Sequence, residues 1–356
     1  MRADCARCVR LHRLATIVQP AQFSGVGWIS FTRSQLMSRP VKPYKPQDDL
    51  IAGLETRGMT VQRELAAQWL ANVGYYRLSG YWYPYRQFAG ARRVDPFVPG
   101  TSFQRVIALY EFDRKLRTLI HDGVERVEIL LRTRLNETLG AIDALAHRDA
   151  SNFRASFDHA KWLRTADKRV DRAQRHSDSV QHHQDDYGGV LPIWAHSEVL
   201  DFADASRLYD GLPSRLQLEV AEGMGIRLNL AMITKRQAAK AKSSHPLARW
   251  LEQISIVRNT SAHHARLWNR TFLPAPTAAM KTMPALETLP NGQSEQLYGA
   301  LSVMAVLIER ASPGSSWRSK VAYLVVTANL EGLGRSVEEM GFPVDWRDGW
   351  IGAALT

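Results

Sequence analysis

Three side chains within one short segment, Arg258-Asn259-Thr260-Ser261-Ala262-His263, have the types and spacing to do chemistry: Arg258, Asn259 and His263. Attack of a ribose 2′-OH on the adjacent phosphate requires a proton removed, a leaving group protonated and a doubly charged phosphorane held. Histidine suits the proton transfers near neutral pH. A guanidinium offers several donors to the phosphorane oxygens. Asparagine can orient the imidazole or the phosphate. The set therefore suits metal-independent cleavage of RNA, with His263 as general acid and base, Arg258 as charge stabiliser and Asn259 as orienting group. It calls for no cofactor, and no cluster of acidic ligands suited to Mg²⁺ stands out. His264 fits the proton-transfer role at one residue's longer spacing. The bare spacing also arises by chance, in which case Arg258 pairs with a core carboxylate and His263 sits on a solvated face.

Leu247, Trp250, Leu251, Ile254, Val257, Ser261, Ala265 and Trp268 recur at steps of three and four, which predicts a helix over 247–268 with one buried stripe. Arg258 borders that stripe, and Asn259 and His263 share a face. Arg258 and His263 lie about 140° apart on a regular helix. Either the arginine bends back, or the helix distorts, or a second protomer completes the site. Ser261 and Ala265 are small and one turn apart, so two motif helices could approach closely across a two-fold axis. Glu198 is either the carboxylate that sets the Arg258 rotamer or a surface residue. Lys235, Arg236, Lys240 and Lys242 precede the motif with no acid among them and are the expected RNA-contact surface, joined by Arg266 beyond it. Lys161, Arg164, Lys168, Arg169, Arg172 and Arg175 fit either a phosphate track or a solvated face, because Asp158, Asp167 and Asp171 dilute them. His176, His182 and His183 near Asp185 and Asp186 read as a polar loop rather than a metal site.

The net charge of +11 favours an anionic partner. No apolar run is long enough to span a membrane. Two cysteines, Cys5 and Cys8, give no disulfide framework, which points to the cytoplasm. They also have no second pair with which to complete a zinc site. Residues 1–41 read as a loose extension, with Met37 as an alternative natural start, and residues 351–356 as a tail. Patterned sequence runs over 42–350: N-terminal helices and an aromatic cluster (42–99), a helical bundle carrying the motif (100–270) and C-terminal helices (271–350). Thr101 or Ser102 caps a long helix with Gly123 as its weak point. Residues 143–190 predict a helix plus a mobile loop, and Pro192 to Tyr209 one amphipathic segment. Helices are also expected near 295–310 and 316–330. The cluster Tyr75–Tyr85 either stacks RNA bases or packs into the core, with Tyr76 and Trp82 buried in the second case. No convincing strand set appears, so the expected class is all-α.

Val257-Arg258-Asn259-Thr260-Ser261-Ala262-His263-His264-Ala265-Arg266-Leu267-Trp268-Asn269-Arg270 resembles the signature of Abi-like proteins, abortive-infection proteins of the AbiD and AbiF type placed in the HEPN superfamily. Lys42-Pro43-Tyr44, Tyr75-Tyr76-Arg77-Leu78-Ser79-Gly80-Tyr81-Trp82, Tyr110-Glu111-Phe112-Asp113-Arg114-Lys115-Leu116-Arg117, Leu191-Pro192-Ile193-Trp194 with Glu198, and Met340-Gly341-Phe342-Pro343 with Trp346 look like the family's landmarks in the family's order. The resemblance implies a HEPN-type helical bundle with additional N- and C-terminal helices. It also implies a homodimer with a composite cleft, and RNA cleavage through Arg258 and His263 in phage defence. A noncoding RNA or an antitoxin would restrain such a nuclease. The competing expectation is a HEPN-fold RNA-binding or scaffold protein without catalysis. Where relatives commonly carry Gly, this chain has Ala203 or Asp204, so the local helix geometry is expected to differ.

Overall fold

A computed structural model describes residues 41–351 of the 356-residue chain. The expectations for residues 1–36, for Met37 as a start and for Cys5 and Cys8 lie outside the described residues. Residues 41–45 fall in a separate N-terminal unit, where they are extended and exposed. From Pro46 onward the described residues form an all-α protein.

The N-terminal helices are α1 (Gln47–Thr56), α2 (Arg63–Asn72) and α3 (Tyr75–Trp82). A short antiparallel ribbon follows, β1 (Arg86–Ala89) with β2 (Arg92–Phe97), in a stretch for which the sequence predicts no strands. Then comes α4 (Phe103–Gly140), 38 residues and about 57 Å long. Ser102 caps it, its side chain accepting from the Arg105 amide. Gly123 does not break it. A Cβ there would stand 2.7 Å from the Trp317 indole nitrogen. That nitrogen donates to the Leu119 carbonyl at 2.7 Å, so the missing side chain is a notch in which the Trp317 ring sits against the helix.

Residues 143–190 contain two helices rather than a helix and a loop: α5 (His159–Ala173), capped by Asp158, and α6 (Asp178–Tyr187), capped by Ser177 and closed by Gly188 in the left-handed region. The segment from Pro192 is not continuous. Four-residue α7 (Ile193–His196) runs into a 3-10 turn, Leu200 is extended, and α8 (Phe202–Gly211) starts afresh. At the divergent Ala203-Asp204 position, Asp204 is buried, and Arg169 bridges it (2.9 Å) and Asp201. Next are α9 (Ser214–Gly223), α10 (Lys235–Ser243) and α11 (Leu247–Ala262). A two-residue ribbon, β3 (Ala275–Pro276) with β4 (Gln293–Ser294), precedes α12 (Leu297–Ala311), α13 (Trp317–Thr327) and α14 (Trp346–Ile351).

Helix α4 is the axis of the bundle, packing against α3, α7, α8, α9, α11, α12 and α13. Helix α11 lies among α4, α8 and α12. Its stripe of Leu247, Trp250, Leu251, Ile254, Val257 and Ser261 is buried as the periodicity predicts. Buried Gln253 donates to the carbonyls of Leu273 (2.6 Å) and Ser294 (2.9 Å), tying the loop after the motif to the middle of the motif helix.

Candidate functional site

The motif helix is shorter than its apolar spacing predicts. It stops at Ala262, with His263 as the C-cap and His264 at φ +54°, in the left-handed region. The His264 amide donates to the Ser261 carbonyl (2.9 Å) and the Ala265 amide to the Thr260 carbonyl (3.0 Å). These are the two closing bonds of a Schellman turn, with histidine in the position where glycine is commonest. A side chain at positive φ costs about 1 kcal/mol or more, so the surrounding contacts must hold it.

Those contacts are what the separate landmarks supply. Arg77 of α3 donates to the His264 carbonyl at 2.7 Å. Asp113 of α4, fully buried, accepts from the Tyr81 hydroxyl (2.6 Å), from Arg117 (2.5 Å) and from the amides of Leu267 (3.2 Å) and Trp268 (2.8 Å). Burial pushes the Asp113 carboxyl up, against the opposite pull of Tyr81, Arg117 and the two amides. The aromatic cluster, the Tyr110–Arg117 segment and the motif are thus three walls of one corner. Leu267 and Trp268, which the sequence pattern places on the helix, are buried after the chain has turned.

Arg266, expected among the RNA contacts, is half-buried in this corner. Its guanidinium donates to the Gly80 carbonyl and lies over the Trp268 ring, and burial lowers its pKa. Ser261 is equally internal. It is fully buried, its hydroxyl donating to the Arg117 carbonyl at 3.2 Å, so no second motif helix can approach through it. Tyr76, expected to be buried with Trp82, is 93% exposed, while Trp82 is indeed buried.

The three candidate residues lie in the last turn of α11 and at its C-cap. Arg258, half-buried at the stripe's border, donates to the Asn259 side-chain oxygen at 3.1 Å. Asn259 is one turn before His263, so the arginine bends toward the face that Asn259 shares with the histidine. His263 and His264 are both exposed. Glu198 does not serve Arg258: it is 4.0 Å from Arg132 and largely solvent-exposed. The carboxylate on the arginine's side is Glu128 of α4. Burial pushes its carboxyl up, and the nearby Arg132 and Arg258 cations pull it back. Arg132 also binds Glu128 and donates to the Leu200 carbonyl (2.5 Å). The spacing of Glu128 and Arg132, four apart on one helix face, was the available signal, but only packing of α4 against α11 brings that pair to the motif.

Asn259 also lines a groove of about 230 Å³ between α8 and α11, with Ala203, Arg207, Asp210, Arg249 and Ile256. A larger cleft, about 900 Å³ around Trp317 and Arg310, contains none of the motif residues. Lys235, Arg236, Lys240 and Lys242 are exposed on α10, whose Thr234–Gln237 capping box fixes its start, and they enter no ion pair among the described residues. They adjoin the start of α11, a helix length of about 24 Å from His263, so the structure does not bring them into the motif corner. His182 pairs with Asp186 (2.8 Å), and among the described residues no group of three or more His, Cys, Asp or Glu is placed to hold a metal ion.

A second histidine cluster lies elsewhere. His147, His159 and His196 are buried with Phe153 and Trp162. His147 Nε2 and His196 Nδ1 are 2.8 Å apart, and His159 Nε2 donates to the His147 carbonyl at 2.8 Å. Burial, then the neighbouring His196, Arg148 and His159, hold His147 down to about 3; burial lowers His196 as well.

These features define an all-α protein with a half-buried Arg–Asn pair and an exposed histidine at one helix end, beyond which the chain is braced by a buried carboxyl. The chain belongs to the Abi-like protein family, whose model matches residues 68–269, more than half of it. The matched span contains the aromatic cluster, Asp113, Leu191–Trp194 and the motif; Lys42–Tyr44 and Met340–Pro343 lie outside it. No curated protein and no solved structure matches the chain. Among the described residues no helix is long and apolar enough to cross a membrane.

Proposed function

We propose that this protein is a metal-independent endoribonuclease of the HEPN type that acts as an abortive-infection effector in phage defence. The observation that carries the reading is the Arg258–Asn259 hydrogen bond on the face shared with exposed His263, at a helix end held by a braced turn. His263 takes the proton from the 2′-OH and returns one to the leaving 5′-oxygen, directly or through water. Arg258 faces the phosphorane oxygens, where its fixed donors are worth most as charge develops. Asn259 holds the arginine and orients the phosphate. Glu128, ion-paired with Arg132 on α4, adds a nearby negative charge that favours the charged guanidinium.

The exposed cations of α10 are the RNA-contact surface at the far end of the same helix. An open groove, rather than a closed pocket, fits a polymeric substrate. The active species is a homodimer that joins two motif corners, assembled through surfaces other than Ser261, and a noncoding RNA or an antitoxin restrains it. The competing reading, a non-catalytic RNA-binding scaffold, is weaker because Arg258, Asn259 and His263 are all present, with Arg258 bonded to Asn259 and His263 open to solvent.

Incubation of the purified protein with labelled RNA in excess chelator tests the proposal. Products ending in a 2′,3′-cyclic or 3′ phosphate with a 5′-OH are expected. Strict Mg²⁺ dependence or 5′-phosphate ends would overturn the mechanism. Mixing Arg258→Ala with His263→Ala chains tests the composite site: restored cutting is expected, and full activity from a monomer would exclude it.

A further inference from the structure

We infer that the outer face of α5 docks the phosphate backbone of a nucleic-acid duplex, at a surface separate from the motif corner. The inference goes beyond the nuclease reading and holds whether or not the end of α11 cuts RNA.

Lys161, Arg164, Lys168 and Arg172 follow one another at steps of three and four along α5. They therefore fall within an arc of about 80° and a length of about 17 Å. Arg175 continues the row in the turn after the helix. All five are exposed, and none of their side chains has an ion pair, hydrogen bond or ring contact among the described residues. The opposite face is the packed one. Trp162 and Ala166 are buried there, Trp162 donates to the Asp204 carbonyl (2.9 Å), and Arg169 holds the Asp204 carboxylate. Helix α8, which carries Asp204, packs against both α5 and α11, and the cationic row is on the side of α5 away from it.

Three carboxylates close by in sequence do not neutralise the row. Asp158 caps the helix, accepting from the Lys161 amide (3.0 Å). Asp167 pairs with Arg148 (2.9 Å). Asp171 lines a cleft of about 210 Å³ with Gln184 and Val190. Like charges at this spacing on a helix destabilise it. Helix α4 avoids the penalty, since Arg114, Arg126, Arg132 and Arg134 each pair with a carboxylate three or four residues away. Helix α5 keeps the repulsion, and an anionic partner relieves it.

The chemistry of the face selects that partner. Among the described residues none of the exposed large apolar side chains lies on α5. The face thus lacks the apolar core of a protein interface and the apolar side of a membrane-bound helix. It also lacks an exposed aromatic ring on which a single strand would stack its bases. What remains is a rigid row of cations, which matches the regular row of phosphates along a duplex and reads no sequence.

The test measures binding of the full chain to a fluorescent 2′-O-methyl RNA duplex and to a DNA duplex over a range of salt. The triple variant Arg164→Gln/Lys168→Gln/Arg172→Gln is expected to bind about ten- to a hundredfold more weakly. Its slope of log affinity against log salt should flatten by about 0.9 for each cation removed. Its melting temperature should be unchanged or higher, because repulsion is relieved. Arg164→Lys/Arg172→Lys keeps the charge and should bind like wild type. Loss with either duplex supports the inference, and the tighter of the two identifies the source. Unchanged affinity and slope in the triple variant would overturn it. So would binding to polyglutamate or to anionic vesicles that the triple variant loses while its duplex binding stays intact; the face would then serve an acidic protein or a membrane. No step involves cleavage, so failure here leaves the nuclease reading untouched, and an inactive protein that binds duplex through α5 sinks only that reading.

Discussion

Histidines occur in this protein under two opposite conditions. His263 and His264 stand in water at the end of α11, on a turn that one of them enters at positive φ. His147 and His196 face each other at 2.8 Å inside a cage of Phe153, Trp162 and His159. The buried pair makes the better-packed contact, and burial lowers the pKa of both its members. Yet both rings are buried away from substrate, and the neighbouring Arg148 is paired with Asp167. The exposed pair has both access and Arg258. A perturbed titration marks burial, and burial is only useful for chemistry where a substrate can reach the group.

The sharpest contrast is expected from removing the groups themselves. His263→Ala and Arg258→Ala should each lower cleavage by about 10²–10⁴-fold with little change in melting temperature. His196→Ala should do the reverse, unfolding the protein at lower temperature while any folded fraction still cuts. Rate assays paired with thermal melts decide it, and normal cleavage by well-folded His263→Ala would end the comparison. The role would pass to His264 if its alanine variant alone lost activity.

Asp113→Ala should erase the distinction between the regions, because the motif corner is itself held by a buried group. Removing the carboxyl strands Arg117, the Tyr81 hydroxyl and two amides, at a cost of roughly 3–5 kcal/mol. Denaturant unfolding and cleavage should both suffer. A stable, fully active variant would show that the turn after His263 needs no brace.

Acid should strike the buried cluster. In the unfolded chain a histidine titrates near 6.5, whereas native His147 is held down to about 3. Above about 6.5 both states are neutral and pH has no effect through this group. As pH falls below that value the unfolded state binds a proton that the native state refuses, so stability declines down to about 3. Burial raises Asp113 and Glu128, which act in the opposite sense. The melting temperature should therefore drop between pH 7 and pH 5, and His147→Gln should flatten that slope while lowering the plateau.

The smallest effect concerns the turn. His264→Gly should relieve the positive φ and stabilise the protein by up to about 1 kcal/mol. Cleavage should persist, since His263 keeps its place. A loss of activity without a loss of stability would move the proton-transfer role to the His264 ring.

The order of residues along the chain was enough for a good deal: the all-α class, the buried stripe of the motif helix and a capped start of the long helix at Thr101 or Ser102, which the structure assigns to Ser102. These depend on periodicity and local hydrogen bonding, which neighbours in sequence decide. Its reach ended where distant segments meet. Apolar spacing through Trp268 predicts a continuous helix, because a residue buried after a turn carries the same hydrophobic signal as one buried within a helix. Arg266 looked like a surface cation until Gly80 came within its reach, and Glu198 was open between a partner of Arg258 and a surface carboxylate until the packing of α4 left it exposed and put Glu128 nearer the arginine. Tyr76 was buried with Trp82 only in the core reading of its cluster, and which ring of a cluster faces water depends on how α3 rotates against α4. Tertiary structure decided these four because each turns on a contact between elements far apart in the chain, where local pattern holds no information about geometry.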